Sequence, residues 1–117
     1  MSPKADITYM NLLSDMVALL RAHQARKGWM VILCPSDTVA ITCAHILSAL
    51  VPAGTKFSGR TAILLGGKLS VACVTDPVFP SKGEFAVSFM GWESTDNPAG
   101  AARWRERASE IMSIGSL

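Results

Sequence analysis

The residue types best suited to chemistry lie at a turn between an apolar strand and a helix, where Cys34 and Pro35 are followed by Ser36, Asp37 and Thr38. In open α/β sheets, ligands bind at the carboxyl ends of strands, because the next helix offers free backbone N–H groups there. A thiol beside a helix N-terminus also has a lowered pKa and becomes a better nucleophile. The turn formed by Cys34, Ser36, Asp37 and Thr38 is therefore a candidate anion-binding or reactive site.

A structural role explains the same turn without any ligand, and we favour it. Asp37 in the first turn of the helix already complements the positive helix end and repels a second anion. Cys34 has no histidine or arginine close to it in sequence, and Ala40 occupies the position where a phosphatase-type loop carries its arginine. Cys34, Cys43 and Cys73 are therefore predicted to be small buried hydrophobic residues.

The two histidines, His23 and His45, are far apart in sequence, so no metal site is predicted and no cofactor is expected. His23 lies near the C-terminal end of the first predicted helix, where it complements the helix dipole. His45 lies two turns after Asp37 on the second helix and is a weak candidate for a general base. A small enzyme that uses Cys34, Asp37 and His45 is therefore kept as a third hypothesis.

Basic residues cluster at the ends of the first and last predicted helices. Arg103, Arg105 and Arg107 surround Trp104, and arginines beside an aromatic ring can track phosphates and stack on bases. Interleaved glutamates favour an ordinary solvated, salt-paired face for this helix. The second hypothesis is a nucleic-acid-binding protein in which both helix ends form one patch, made of Arg21, Arg26, Lys27, Arg103 and Arg107. This patch requires the two helices to be neighbours.

The composition favours a protein that binds another macromolecule. Of the 117 residues, 50% are hydrophobic and 17% are charged, whereas a typical soluble domain has about 25% charged residues. A surface short of charge leaves apolar patches, which usually mark interfaces with subunits or partners. Large aromatic residues are frequent interface anchors. The candidates in this chain are Trp29, Phe79, Trp92 and Trp104.

Charge and cysteine usage limit the other classes of function. The net charge of +2 is too small to indicate nucleic-acid binding by itself. Three cysteines without C-x-x-C spacing argue against a disulfide framework or a zinc site and fit a reducing, cytoplasmic compartment. No apolar run approaches the ~20 residues of a membrane span, and the N-terminus lacks the basic-then-apolar order of a signal peptide. We therefore expect a soluble protein without a membrane partner.

The hydrophobic pattern predicts one α/β domain over residues 1–117, with an α+β arrangement as the alternative. Helical spacing, a continuous apolar run and two runs around a Gly-Gly pair indicate helices, a doubly buried strand and a β-hairpin. The predicted helices cover 6–27, 36–51 and 97–115, and the predicted strands cover 29–34, 61–65, 69–75 and 85–89. Because no helix separates the later strands, the order α-β-α-β-β-β-α predicts three helices packed on a mixed sheet of about four strands.

The predicted helix ends rest on capping residues. Asp6, Ser36 and Asn97 are the expected N-caps, and Gly28 permits a left-handed residue after the first helix. Gly115 is expected to end the last helix. The buried side of that helix is predicted to consist of Trp104, Ala108, Ile111 and Met112.

Residues 28–76 resemble part of a RecA-like motor core. The hexapeptide PSDTVA at 35–40 follows an apolar strand, as in superfamily-two helicases and viral terminase motors, where a proline-led turn opens a helix. Residues 59–76, with a Gly-Gly turn between two apolar strands, look like the stretch that follows in such cores. The sequence has neither a G-x-x-x-x-G-K-[ST] phosphate loop nor an Asp-Glu pair ending a strand. The resemblance therefore implies a related fold without ATP hydrolysis.

Together these patterns favour a small non-enzymatic interaction protein that acts through a macromolecular interface. Its expected partners are another protein, a second copy of itself, or both, and a role as adaptor, inhibitor or assembly subunit in a viral or mobile-element system is expected by analogy. No constellation of titratable residues in the sequence indicates a reaction.

Overall fold

A computed structural model of the chain describes residues 3–92 and 97–112, with the backbone alone at 3–10. Three helices and six strands follow one another along this part of the chain. In order, they are α1 (Pro3–Arg26), β1 (Trp29–Cys34), α2 (Asp37–Leu50), β2 (Lys56–Ser58), β3 (Thr61–Leu64), β4 (Gly67–Cys73), β5 (Phe85–Phe89), α3 (Pro98–Arg107) and β6 (Glu110–Ile111).

The strands form one mixed sheet with the order β2-β3-β4-β1-β5-β6. β1 lies in the interior of the sheet and pairs in parallel with both β4 and β5, and β6 pairs in parallel with β5. β2, β3 and β4 form an antiparallel meander. The prediction of an α/β fold with a mixed sheet is confirmed, but the sheet has six strands and not about four.

The two strands that the sequence patterns did not predict are short, and they form only beside a neighbouring strand. β2 has three residues and β6 has two, so neither contains enough alternation to be recognised as a strand. Each is held by a longer strand at one edge of the sheet, β2 by β3 and β6 by β5.

The ends of the first and last helices differ from the sequence prediction. α1 begins at Pro3, so Asp6 lies inside the helix and is not its N-cap. α3 ends at Arg107, because Ala108 adopts an extended backbone and the chain then joins β5 as β6. Ile111 is consequently exposed and not part of a buried helix face. Gly115, the expected stop, lies outside the described residues.

The side chains of β1 divide the interior into two cores, one on each face of the sheet. Met30, Ile32 and Cys34 point to the face covered by α1 and α2. Val31 and Leu33 point to the face covered by α3, where Trp104 packs on them. Because alternate residues of a strand point to opposite faces, a strand covered on both sides is apolar throughout, as the sequence predicted.

The hairpin of β3 and β4 turns one residue earlier than its sequence suggested. Leu64 pairs with Gly67, so the turn consists of Leu65 and Gly66 and not of the Gly-Gly pair. The backbone of Gly28, just after α1, packs against Gly67 and donates from its N–H to the Gly66 carbonyl at 2.7 Å. A Cβ on Gly67 would lie 2.5 Å from the Gly28 oxygen, so the hairpin needs glycine there.

We expect Gly67→Ala to lower the free energy of unfolding by roughly 3 kcal/mol, since it adds a backbone clash to the strain of a positive φ. Gly54→Ala is the matched control, because Gly54 also has a positive φ but a Cβ added to it would have no neighbouring atom within 4 Å. The control should cost about 1 kcal/mol. Urea denaturation followed by tryptophan fluorescence measures both, and equal losses would contradict the packing of Gly28 on Gly67.

Candidate functional site

The turn between β1 and α2 is an ordinary helix cap. Ser36 adopts the extended backbone of an N-cap, and its hydroxyl accepts a hydrogen bond from the Val39 N–H at 3.3 Å. Its carbonyl accepts from the Ala40 N–H at 3.0 Å. Asp37 and Thr38 are exposed in the first turn, where the carboxylate complements the helix dipole. These contacts support the structural role of the turn.

The three cysteines converge in the core between the sheet and α2. Cys34 and Cys73 are register partners on β1 and β4, and Cys43 of α2 packs in the same core cluster. All three are free thiols and are buried. The interaction with the Cys43 thiol, followed by burial, raises the pKa of the Cys34 thiol. Cys34 therefore stays protonated, which is the opposite of what a nucleophile requires.

The residues of the enzyme hypothesis are not assembled into one site. His45 and Asp37 lie on the exposed side of α2, eight positions and about 12 Å apart along the helix. Cys34 is buried beneath the same helix. A general base and a nucleophile have to be within hydrogen-bond reach of one another, and these residues face different environments.

The basic residues of the nucleic-acid hypothesis do not form one patch. α1 and α3 pack on opposite faces of the sheet, which separates Arg21 and Lys27 from the body of α3. Arg26 reaches round to β6, where its guanidinium pairs with Glu110 at 2.8 Å. Arg103 donates to the carbonyl oxygens of Val74 at 2.7 Å and Asp76 at 3.2 Å. Arg107 is exposed at the end of α3. Arg26 and Arg103 thus hold parts of the fold together.

Three of the four predicted interface aromatics are engaged inside the protein. Trp104 is fully buried and lies edge-on to Phe85 and Phe79, so it fills the core under α3 and offers no surface to a partner. The Trp92 indole donates to the Leu33 carbonyl at 2.6 Å. The half-buried Trp29 donates to the Ser70 hydroxyl at 2.9 Å. Phe79 has 48% of its surface exposed and remains available.

The apolar surface that the sequence analysis missed lies on and beside α2. Ile41 and Leu50 of α2 are 47% and 36% exposed, and Phe57 and Leu65 are exposed nearby. The sequence signal was present, because no Asp, Glu, Lys or Arg occurs between Asp37 and Lys56. This uncharged stretch indicates an exposed apolar surface only once it is known which side of α2 faces solvent.

Two grooves run along the flank of α2 that faces α1. One, of about 290 Å³, lies between the C-terminal ends of the two helices and the hairpin turn, and is lined by Leu20, His23, Leu50 and Leu65 among others. The second, of about 340 Å³, is lined by Leu13, Thr42, His45, Ile46, Ala49 and Leu50. Leu50 lines both, so the grooves form one continuous and mainly apolar surface.

Two other kinds of site find no support in the described ranges. Within residues 3–92 and 97–112, no three His, Cys, Asp or Glu side chains are grouped so that they could hold a metal ion. The helices in the same ranges are all too short or too polar to cross a membrane.

The fold is that of a small α/β protein with a mixed sheet. Its exposed surface includes an apolar face of α2 and the outer strands of the sheet. No protein-family model, curated protein or solved structure matches the chain. The resemblance of residues 28–76 to a RecA-like motor core therefore stays a prediction from sequence.

We expect the native protein to be inert to thiol reagents. Cys34, Cys43 and Cys73 are buried, so a disulfide reagent such as Ellman's should modify no thiol in the folded state and all three in guanidinium chloride. The release of thionitrobenzoate measures the reaction. Fast modification of Cys34 in the native protein would support the nucleophile hypothesis instead.

Protonation of His23 is expected to destabilise the fold in mild acid. Its ring is buried, with Nε2 3.0 Å from the Gly28 carbonyl, and burial lowers the pKa of His23 despite hydrogen bonds to the Gly28 and Lys68 carbonyls. The unfolded chain therefore binds the proton more readily, so stability is complete above the usual pKa of 6.5 and falls as the pH drops below it.

Urea unfolding at a series of pH values tests this contribution. The free energy of unfolding should decline between neutral pH and pH values just below the usual histidine pKa, and His23→Gln should show a shallower decline in that interval. An identical pH dependence in the variant would show that His23 does not contribute it.

Proposed function

We propose that this chain is a small non-enzymatic interaction protein that assembles with a second copy of itself through the exposed face of α2. We define the α2 face by its solvent-exposed residues beyond the first turn, which are Ile41, His45, Ser48, Ala49 and Leu50. The observation that carries the proposal is that this face has no Asp, Glu, Lys or Arg, although it lies on the outside of the fold.

An uncharged helix face in water is unusual. A surface helix normally presents charged and polar residues on the side away from the core. Burying apolar surface contributes about 25 cal/mol per Å², so covering Ile41, Leu50 and the groove beside them stabilises an assembly. Charged residues are depleted at the centres of protein interfaces, as they are here.

A second copy suits this face better than an unrelated partner. In a two-fold interface the same patch meets itself, so an uncharged helix packs on an uncharged helix without repulsion.

The small side chains on the same face allow two helices to approach closely. Ser48 and Ala49 lie between Ile41 and Leu50 on the exposed side of α2, and interaxial distances shorten when contact residues are small. The groove lined by Leu13, Ile46, Ala49 and Leu50 offers a place for apolar side chains of the second copy.

The three free thiols support the cytoplasm as the location of this assembly, since buried reduced cysteines are typical of reducing compartments. A self-associating protein without an assembled catalytic site in its described residues fits the role of an adaptor, inhibitor or assembly subunit.

Light scattering of the purified chain tests the proposal. The wild type should have twice the 12.5 kDa mass of one chain at high concentration, and Ile41→Glu should have the monomer mass, because it would place two buried charges at the interface. Ile111→Glu is the matched control, since Ile111 is similarly exposed but lies on β6.

Circular dichroism melts of both variants establish that they remain folded. A wild type that stays monomeric across the concentration series, or an Ile41→Glu variant that associates as the wild type does, would overturn the proposal.

A further inference from the structure

Among the described residues, no helix lies over half of the sheet face on which α3 packs. A helix is about 10 Å wide and strands are about 4.8 Å apart, so one helix covers roughly two strands. α3 covers β1 and β5 through Trp104, and in the described ranges the buried core on this side takes residues from β1, β4 and β5 but not from β2 or β3. On this side, β2 and β3 remain accessible to solvent.

The strand register places the accessible side chains of this face in two rows. Lys56 of β2 pairs with Ile63 of β3, and Ile63 pairs with Lys68 of β4. In the next row, Ser58 pairs with Thr61 and Thr61 with Ser70. We call the accessible part of this surface the hairpin face. It consists of Lys56, Ser58, Thr61, Ile63 and Lys68, with Arg60 at the turn between β2 and β3.

Two aromatic rings border the hairpin face on the side of α3. The Lys68 ammonium lies 4.5 Å from the centre of the Trp29 ring, and the Trp29 indole is held by Ser70, whose hydroxyl is 2.8 Å from that of Thr61. Phe79 lies 6.1 Å from Trp29, centre to centre, and 48% of its surface is exposed. An exposed ring thus stands at the end of a row that carries two lysines.

The charge of this region has one sign. From Thr38 to Thr75 the sequence has no Asp or Glu, and its cations are Lys56, Arg60 and Lys68. Asp37 and Asp76 lie near the end of β4, where they line a cavity together with Arg60. An extended anion therefore finds its favourable path along the row from Lys56 through Ile63 to Lys68.

We propose that the hairpin face binds single-stranded nucleic acid. Lys56, Lys68 and Arg60 contact phosphates, the hydroxyls of Ser58 and Thr61 support them, and a base stacks on Phe79. Basic grooves with exposed aromatic rings bind single strands in this way, because every base has a face that can stack. An acidic peptide would pair with the lysines. It would offer no planar group to stack on Phe79 or to cover the exposed Ile63.

This site is independent of the proposed self-association. The hairpin face and the α2 face lie on opposite sides of the sheet, so a dimer formed through α2 leaves two hairpin faces accessible. The site also differs from the basic ends of the terminal helices, which supplies a charge-matched control.

Fluorescence anisotropy with labelled oligothymidylate and oligouridylate, in a titration of rising salt, tests the proposal. Lys56→Gln with Lys68→Gln should weaken binding at least roughly tenfold at low salt and reduce the slope of log affinity against log salt by about 1.4, the value for two phosphate contacts to a single strand. Phe79→Ala should weaken binding roughly tenfold and leave the slope unchanged, because it removes stacking and no charge.

Arg21→Gln with Arg107→Gln is the control, since it removes two exposed cations from α1 and α3. It should bind as the wild type does. Ile41→Glu should also bind, which separates the failure of this proposal from a failure of self-association. Circular dichroism establishes that each variant is folded.

Three results would overturn the proposal. They are a wild type that binds neither oligonucleotide at low salt, a control that loses as much affinity as the lysine pair, and polyglutamate that competes as well as unlabelled oligonucleotide. The last result would assign the face to acidic peptides.

Discussion

The burial of β1 on both faces sets the positions of the other elements. From Met30 to Cys34 its side chains are inaccessible to solvent, and each large aliphatic residue among them contributes roughly 1.5–3 kcal/mol when buried. This burial requires a neighbouring strand on either side and helices above and below, an arrangement typical of parallel strands. β4 and β5 supply the first, and α1, α2 and α3 supply the second.

The exposed surfaces result from the same requirement, because three helices cannot cover both faces of six strands. α1 and α2 cover one face, which leaves the uncharged side of α2 in solvent. α3 covers the centre of the other face and leaves β2 and β3 open. The two proposed binding surfaces are therefore places that the described helices leave accessible to solvent, one apolar and one basic.

Proteins with α/β folds often place their sites at the carboxyl ends of strands. The carboxyl end of β1 is capped by Ser36, and the three thiols beneath α2 are buried together, which holds Cys34 in its protonated form. The sequence predicts that Cys34 lacks an activating partner. It does not predict that the cysteines meet, because β1 and β4 become neighbours only in the sheet and α2 packs on both of them.

Local sequence patterns predict the longer elements, which are most of α1 and α2, the doubly buried β1 and the strands of the hairpin. They also predict the N-cap at Ser36. They are insufficient for β2 and β6, since strands of three and two residues form only when a neighbour supplies their hydrogen bonds. The surfaces likewise depend on long-range contacts: Lys56 and Lys68 share a face because the register of three strands aligns them. Periodicity tells which residues of an element lie on one side, whereas the side that is covered depends on the number and placement of helices in the assembled fold.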